Sequence, residues 1–448
     1  MSHYLRATSN YALQRAADWA RWLRLPLVVL SIAQLDYRWA TERSHAFLLD
    51  SMGDVERALR ASPVEMLTFI ERRVGEAEGL VEAVARAAAV VVLDDHPGIQ
   101  GSPEHLPIRS EAIDHVSIVP LGSTDRVFTR AYDLRRYLQR VLPDYLDEVV
   151  ETHLGGLIPA QGVLADEIRE RWPSAAISRS LLDDLPLDGN VSPTLNRGGQ
   201  VEAKRLLDHF VNAGLARYAE KSHPDYPVAS GLSAHLRFGN ISVHDVFTAI
   251  AHAEGWDPSH ISDRASGARA GWWGMGPGAE AFLDQIVTWR ELGYRAARYV
   301  SGNDSYSALP EWARSTLEGH VVDSRPYLYS YEQLEAGDTH DDLWNAAQAE
   351  LRDEGTIHSY LRMLWGKKIL EWTPHPEDAH EIMFDLNNRY ALDGRDPNSV
   401  SGIHWVLGRY DRPWGPERAI FGKVRYMSSE STRRKLRLKH YQSKMLNT

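Results

Sequence analysis

A change of periodicity along the chain constrains its fold more than any other feature. In the first third, short apolar runs alternate with amphipathic stretches of helical spacing. Residues 11–24 predict a helix, 26–33 a buried strand and 64–70 a second strand. Residues 77–94 predict a helix running into a strand, and 115–119 (HVSIV) a further strand. Helices set between short apolar strands indicate a parallel sheet covered by helices. No strand precedes the first helix, so the sheet is expected to lack its opening strand.

From about residue 126 the strand signals fade. Residues 151–200 carry the loop punctuation GGLIPAQG, LPLDGN and SPTLNRGG. Beyond 200 the spacing predicts helices over 201–219, 242–254, 278–300, 342–353, 356–372 and 376–390. The expected organisation is a parallel α/β, Rossmann-like domain over 1–150, a linker over 151–200 and an all-helical domain over 201–448.

Composition narrows the chemistry. The 448 residues include no cysteine, which excludes disulfides, thiolate metal sites, iron–sulfur clusters and a thiol nucleophile. The longest apolar stretch near the start, Leu25 to Ala33, is too short for a bilayer, and the opening residues have no signal-peptide core. A soluble cytoplasmic protein is expected. The net charge is −11, which argues against a general nucleic-acid coat protein. The tail differs: between Arg409 and Lys444 eleven basic residues face three acidic ones, a local balance of +8. Such a run is either a solvated helix face or a phosphate-binding footprint.

Several motifs fail. Gly274-Met275-Gly276-Pro277-Gly278 follows polar sequence rather than a strand and lacks the dinucleotide spacing. There is no phosphate-binding Gly-Lys-Ser/Thr loop and no nucleophile elbow. His375 and His380 do not cluster with metal-ligand spacing, so no metal is expected.

The segment 356–372 carries the argument. His358, Arg362, Trp365, Ile369 and Trp372 are spaced 4, 3, 4 and 3 apart and share one helix face. A face with two indoles and an isoleucine should be buried, which sets the Arg362 guanidinium against an interior. A buried guanidinium needs an anion, either a carboxylate or a bound phosphate. Periodicity alone leaves a purely structural Arg–Asp pair open.

The wording of the helical half goes further. LWNAAQAELRDEGTIHSYLRMLWGKKILEW, LNNRYALDGRDPN, GIHWVLGRYDRPW, ERAIFGKVRYM and SGLSAHLRFGNIS resemble the class II cyclobutane pyrimidine dimer photolyases. The resemblance is strong over about 200–448 and weaker but collinear over 11–145. It implies an antenna-type α/β domain, a helical domain holding a folded FAD, and light-driven splitting of pyrimidine dimers in DNA.

The resemblance also implies roles. Ser230, Gly231, Leu232 and Ser233 match the loop that binds the FAD phosphates, and Tyr218 the tyrosine before it. Short donors and a glycine suit close backbone approach to an anion. Arg362 and Asp393 match a salt-bridged pair beside the flavin ring, and Asn387 an asparagine facing its N5. Trp365, Trp344 and Trp372 match an electron relay, in order from the flavin toward the surface. Glu291 matches a glutamate that hydrogen-bonds the dimer, Trp405 an aromatic packing on it, and Met363 a pocket contact. Lys423, Arg425, Arg433 and Arg434 would hold DNA phosphates, with the lesion flipped from the duplex.

Some wording departs from the family. The opening strand and its arginine-rich continuation are reduced to LRATS, WRELGYRAARY differs, and Ala229 stands where relatives carry a hydroxyl. The expectation is therefore a monomeric, FAD-dependent dimer-splitting lyase acting on damaged DNA. An antenna pigment, a deazaflavin or a folate, is left open. The alternative is a cryptochrome-like photoreceptor that binds FAD without repair.

Overall fold

The computed structural model describes residues 1–97, 106, 108–146, 150 and 152–446. The chain gathers into two compact units that interleave along the sequence. One comprises Met1–Ser123, Leu142–His209 and Ser230–Gly255; the other comprises Thr124–Val141, Phe210–Ala229 and Trp256–Thr448.

The first unit is the α/β one. Helix α1 (Tyr11–Leu23) starts where the Asn10 side chain accepts the Leu13 amide and stops at Arg24, whose φ of 54° is left-handed. Such an N-cap is worth about 1 kcal/mol. Strand β1 (Leu27–Ala33) alternates buried and half-buried positions. After α2 (Glu42–Leu59), strand β2 (Val64–Ile70) pairs with β1 in parallel, from Leu27 opposite Val64 to Ala33 opposite Ile70. Then α3 (Leu80–Arg86) leads to β3 (Val91–Asp94), which pairs in parallel with β4 (Ser110–Ile113). Leu67, Phe69, Leu80, Ile168 and Trp172 form a core cluster between β2, α3 and a short later helix.

Two findings correct the sequence expectation. Among the described residues the strands form two two-stranded sheets, β1–β2 and β3–β4, rather than one sheet. An apolar cavity of about 510 Å³ lies among α1, β1, α3 and β3. Residues 115–119 are not a strand; the ladder ends at Ile113. Val116, Ile118 and Val119 are buried as loop side chains, so the apolar run reflects core packing rather than pairing.

Helix α2 is absent from the elements read above. Its buried face mixes Phe47, Leu49, Met52 and Val55 with Arg43, His45, Ser51 and Asp54, which hides the apolar period.

The second unit is helical. It opens with α4 (Ala131–Val141), whereas α5 (Asp166–Arg171), α6 (Gln200–His209), α7 (Ser233–Arg237) and α8 (Val243–Ala253) belong to the first unit. It continues with α9 (Pro277–Leu283), α10 (Arg290–Tyr299), α11 (Glu311–Gly319), α12 (Tyr331–Ala336) and α13 (Asp342–Ala349). Then come α14 (Ser359–Trp372), α15 (Pro376–Tyr390), α16 (Pro397–Val406), α17 (Ser429–Lys435) and α18 (Lys439–Leu446). A π-helical stretch, Asp284–Trp289, joins α9 to α10, and another, Glu350–Glu354, follows α13. Among the described residues no helix is long and apolar enough to cross a membrane.

Helices α10 and α16 touch backbone to backbone. A Cβ on Gly293 would lie 2.8 Å from the Pro397 carbonyl oxygen and 2.9 Å from the Asn398 Cα. Beside that contact the Tyr294 hydroxyl donates to Asp396 at 2.5 Å, and Asp396 caps α16 through the Asn398 amide.

Candidate functional site

Helix α14 is buried nearly all round, not on one face alone: Leu361, Leu364, Gly366, Lys367 and Leu370 join Trp365, Ile369 and Trp372 inside. Its first turn is the more open part, where Arg362 and Met363 are half-buried. The Arg362 guanidinium donates to both carboxylate oxygens of Asp393, at 2.9 and 3.2 Å. Asp393 follows α15, so the pair ties two chain segments across a partly solvated edge. The Arg362 Nε is buried without a hydrogen-bond partner. A buried donor left unsatisfied is costly and suits a bound acceptor.

Asn387, near the end of α15, is 1% exposed. Its side-chain amide donates to the Ser399 hydroxyl of α16 at 2.6 Å. The amide is thereby held between two helices.

Three indoles follow from α14 inward. Trp344, Trp365 and Trp372 are among the largest fully buried side chains. The Trp365 indole donates to Gln348 Oε1 at 2.8 Å, and the Trp344 indole donates to the Trp365 carbonyl at 3.0 Å. Trp344 meets Trp372 edge-on, with centroids 5.4 Å apart. Trp344 thus touches both of the others. Trp372 was expected toward the surface, but it is 2% exposed. Tyr329 and His340 cover it, with centroids 5.2 and 5.4 Å from its ring.

Glu291 lies in the first turn of α10, 1% exposed, and pairs with Arg295 one turn on at 3.4 Å. The sequence reading did not include Arg295.

At the end of α16, Trp405 is half-buried. The Lys367 ammonium and the Arg425 guanidinium each sit 5.7 Å from its ring centroid. Arg425 also lies 5.2 Å from Trp414, which Arg412 covers at 4.7 Å. Arg425, Trp414 and Arg412 thus line an exposed edge beside Trp405, with Lys367 buried beneath it, a surface suited to stacking bases and neutralising phosphates. Trp414 and Lys367 escaped the sequence reading. In Gly366-Lys367-Lys368 the lysine reads as a solvated residue, yet it is fully buried and donates to the Val406 carbonyl. Burial lowers its ammonium to about 7. Trp414 stands in Arg412-Pro413-Trp414, and its neighbouring arginine was the available signal.

The remaining basic residues are partly neutralised. Lys423 pairs with Glu417 at 3.3 Å, Arg433 with Asp341 at 3.2 Å and Arg434 with Glu430 at 3.2 Å. The exposed pairs of Lys423 and Arg434 are weak and leave those cations available to phosphate, whereas Arg433 is held by the buried Asp341.

Tyr218, in the second unit, packs edge-on against Phe210 and Phe282 at 5.6 and 4.9 Å. Burial pushes its phenol well above its usual range, so it stays a neutral donor. In the first unit, Ser230 accepts the Leu232 amide at 3.3 Å, and Gly231 has φ +70°. Gly231 and Ser233 are exposed, Ser230 is half-buried and Leu232 is buried. The left-handed glycine opens the backbone of this loop. Helix α7 is only five residues long, so individual hydroxyls and amides, not a long helix dipole, would supply the anion contacts. Within the first unit the hydroxyls and amides of this loop suit a phosphate; within the second unit the unpartnered Arg362 Nε suits an acceptor.

Among the described residues no cluster of His, Asp and Glu could hold a metal ion.

No family model matches the chain. Solved structures define the fold class. A bacterial class III photolyase from Agrobacterium tumefaciens superposes with a TM-score of 0.69 at 16% identity, over 100% of this chain and 85% of its own. An archaeal photolyase from Sulfolobus tokodaii, whose structure holds two FAD molecules, gives 0.64 at 16% identity over 99% of this chain and 89% of its own. A Synechocystis cryptochrome gives 0.67 at 13% identity over 99% of this chain and 87% of its own. These share the fold: a small N-terminal α/β domain and a helical C-terminal domain. Sequence goes further. A deoxyribodipyrimidine photo-lyase of Methanothermobacter thermautotrophicus is 32% identical over 98% of this chain and 92% of its own length. One from Oryza sativa subsp. japonica is 31% identical over 97% of this chain and 84% of its own. The chain belongs to the photolyase/cryptochrome family and is a flavoprotein lyase of DNA repair.

Proposed function

We propose that this chain splits cyclobutane pyrimidine dimers in DNA as a class II-type, light-dependent deoxyribodipyrimidine photo-lyase, acting as a cytoplasmic monomer. The observation that carries this reading is the group of three buried tryptophans on and beside the helix that bears Arg362, with the Trp344 indole hydrogen-bonded to the Trp365 carbonyl and edge-on to the Trp372 ring. Reduced FAD, excited by blue light, supplies when bound the electron that opens the cyclobutane ring and takes it back.

The residues of the chain do the rest. Arg362, fixed by Asp393, offers its free Nε to the flavin ring system, and Asn387, fixed by Ser399, offers an amide that can donate or accept at the flavin N5. Ser230, Gly231, Leu232, Ser233 and Tyr218 hold the remainder of the cofactor. Trp365, Trp344 and Trp372 pass electrons inward when the cofactor needs reducing. Glu291, oriented by Arg295, accepts hydrogen bonds from the lesion bases and positions them. Trp405, Met363 and Trp414 pack on the flipped lesion, and Lys423, Arg425, Arg433 and Arg434 hold the strand. An antenna pigment, a deazaflavin or a folate, belongs to the α/β unit in this reading.

The test is dimer-containing DNA incubated with reduced protein in light and in darkness. Loss of dimers in light alone is expected. Equal dimer content in both arms would overturn the repair reading and leave a cryptochrome-like photosensor. An absorption spectrum of the purified protein reports bound FAD and any second pigment.

A further inference from the structure

Lys367 departs from the rule that a buried charge is paired. It is fully buried, and among the described residues it donates to the Val406 carbonyl and forms no ion pair with a carboxylate. A charge kept in the interior at a cost to stability points to a role in function. Lys367 stands one turn beyond Met363 on α14, so the two share a face. A Cβ on Gly366 would lie 2.8 Å from Val406 Cγ2, so α14 and α16 pass in contact here. That contact brings the ammonium over the Trp405 ring, 5.7 Å from its centroid. Arg425 lies equally far from the centroid but is exposed. The charged groups acting on Lys367 are Asp411, which favours the ammonium, and Arg425, which opposes it. Burial disfavours the charged forms of His404 on α16 and His380 on α15, and Lys368 is paired with Glu371 at 2.7 Å. Lys367 is therefore the sealed cation at Trp405.

We propose that Lys367 is a positioning residue of the dimer-splitting reaction: acting through Trp405, its ammonium holds the ring and favours the negative charge that the dimer carries while it keeps the extra electron. This rests on the reading of Trp405 as the aromatic that packs on the lesion. The dimer takes up one electron, its two linking bonds open, and the same electron leaves. Lys367 neither gains nor loses a proton in that cycle. Its charge interacts weakly with the uncharged bases of the dimer and attracts the singly reduced ones. Its effect therefore falls on the splitting step more than on binding. Salt screens the exposed Arg425 guanidinium far more than the sealed ammonium. The amine is charged below about pH 7 and neutral above it, so the effect is present at lower pH and lost as pH rises.

The experiment compares wild type, Lys367→Met and Lys367→Arg, each flavin-loaded and chemically reduced, from about pH 6 to about pH 9. Two quantities are read: dimers split per absorbed photon, and affinity for dimer-containing DNA in darkness by fluorescence anisotropy. The wild-type yield should fall several-fold across that range. Lys367→Met should give the low yield at every pH, with dark affinity within about twofold of wild type. Lys367→Arg, whose charge does not titrate, should keep the high yield throughout. A further measurement needs neither light nor a variant that carries charge: nitrogen-15 NMR of the dark wild-type protein should show an amine that loses its proton near neutral pH and is missing from Lys367→Met. Identical pH profiles in wild type and Lys367→Met, or a loss of dark affinity as large as the loss of yield, would overturn the proposal and spare the role of Trp405. Trp405→Ala that binds and splits dimers as wild type does would overturn the Trp405 reading and this proposal together.

Discussion

The indole N–H of Trp344 donates to the main-chain carbonyl of Trp365 at 3.0 Å, so the central indole is anchored to the backbone of the helix that carries Arg362. Its position therefore does not depend on side-chain packing alone. Trp344→Phe should keep the fold but remove the indole and its anchor. Photoreduction of the bound flavin should fall at least tenfold, followed by absorbance under blue light. Dimer splitting after chemical reduction should fall far less. Equal losses in both assays would contradict the relay role.

Arg362 and Asp393 should set cofactor retention. Arg362→Ala leaves the Asp393 carboxylate without its cation, and Arg362→Lys keeps the charge but loses the planar guanidinium and its second donor, Nε. Flavin per protein, read from the visible-to-ultraviolet absorbance ratio, should drop several-fold in both and further in the alanine variant. Unchanged flavin content would mean that the pair is structural only.

Lys367 gives the protein a pH-dependent stability. Burial holds its ammonium at about 7 in the folded chain, against 10.5 for an ordinary lysine. Below pH 7 both states are protonated and the full burial cost is present. Between 7 and 10.5 the unfolded chain holds the extra proton, so stability rises with pH, by about 1.4 kcal/mol per unit as a limit. Lys367→Met should therefore raise Tm at pH 6 and gain progressively less by pH 10, measured by calorimetry. A pH-independent effect would refute the buried-amine account.

Arg425 and Arg433 should contribute unequally to DNA binding. Arg425 faces two indoles, while Arg433 is already paired with Asp341. Arg425→Ala should weaken binding to damaged DNA and lower the salt-dependence slope by about one contact; Arg433→Ala should do less. Fluorescence anisotropy across a salt series separates the two. Trp414→Ala should weaken binding to lesion-containing DNA more than to intact duplex.

Much of the architecture is legible in the sequence where local signals are strong. The strand read at 64–70 is β2, and the helix read at 376–390, opened by Pro376, is α15. The helix over 11–24 closes one residue early at a left-handed Arg24. What stayed hidden has a physical cause in each case. The π-helical stretches at 284–289 and 350–354 insert an extra residue into a turn, so the faces of α10 and of the segment after α13 cannot be projected by a constant 3.6 period. The partner of Arg362 lies thirty-one residues away in sequence, so the family resemblance named it where periodicity could not. The burial of Lys367 depends on Val406, a tertiary contact that local composition contradicts.

Backbone contact at Gly293 has a consequence for how a lesion could be received. Gly293→Ala should cost about 2 kcal/mol through overpacking, because neither the Pro397 carbonyl nor the Asn398 Cα can retreat. The same contact, reinforced by Tyr294 and Asp396, makes the helices of Glu291 and Trp405 a single stiff body. Association with a damaged base then needs no rearrangement of these two helices, and their configurational entropy is surrendered during folding rather than at each turnover. Electron tunnelling falls off steeply with separation, so a rigid cradle keeps every encounter at one donor–acceptor span.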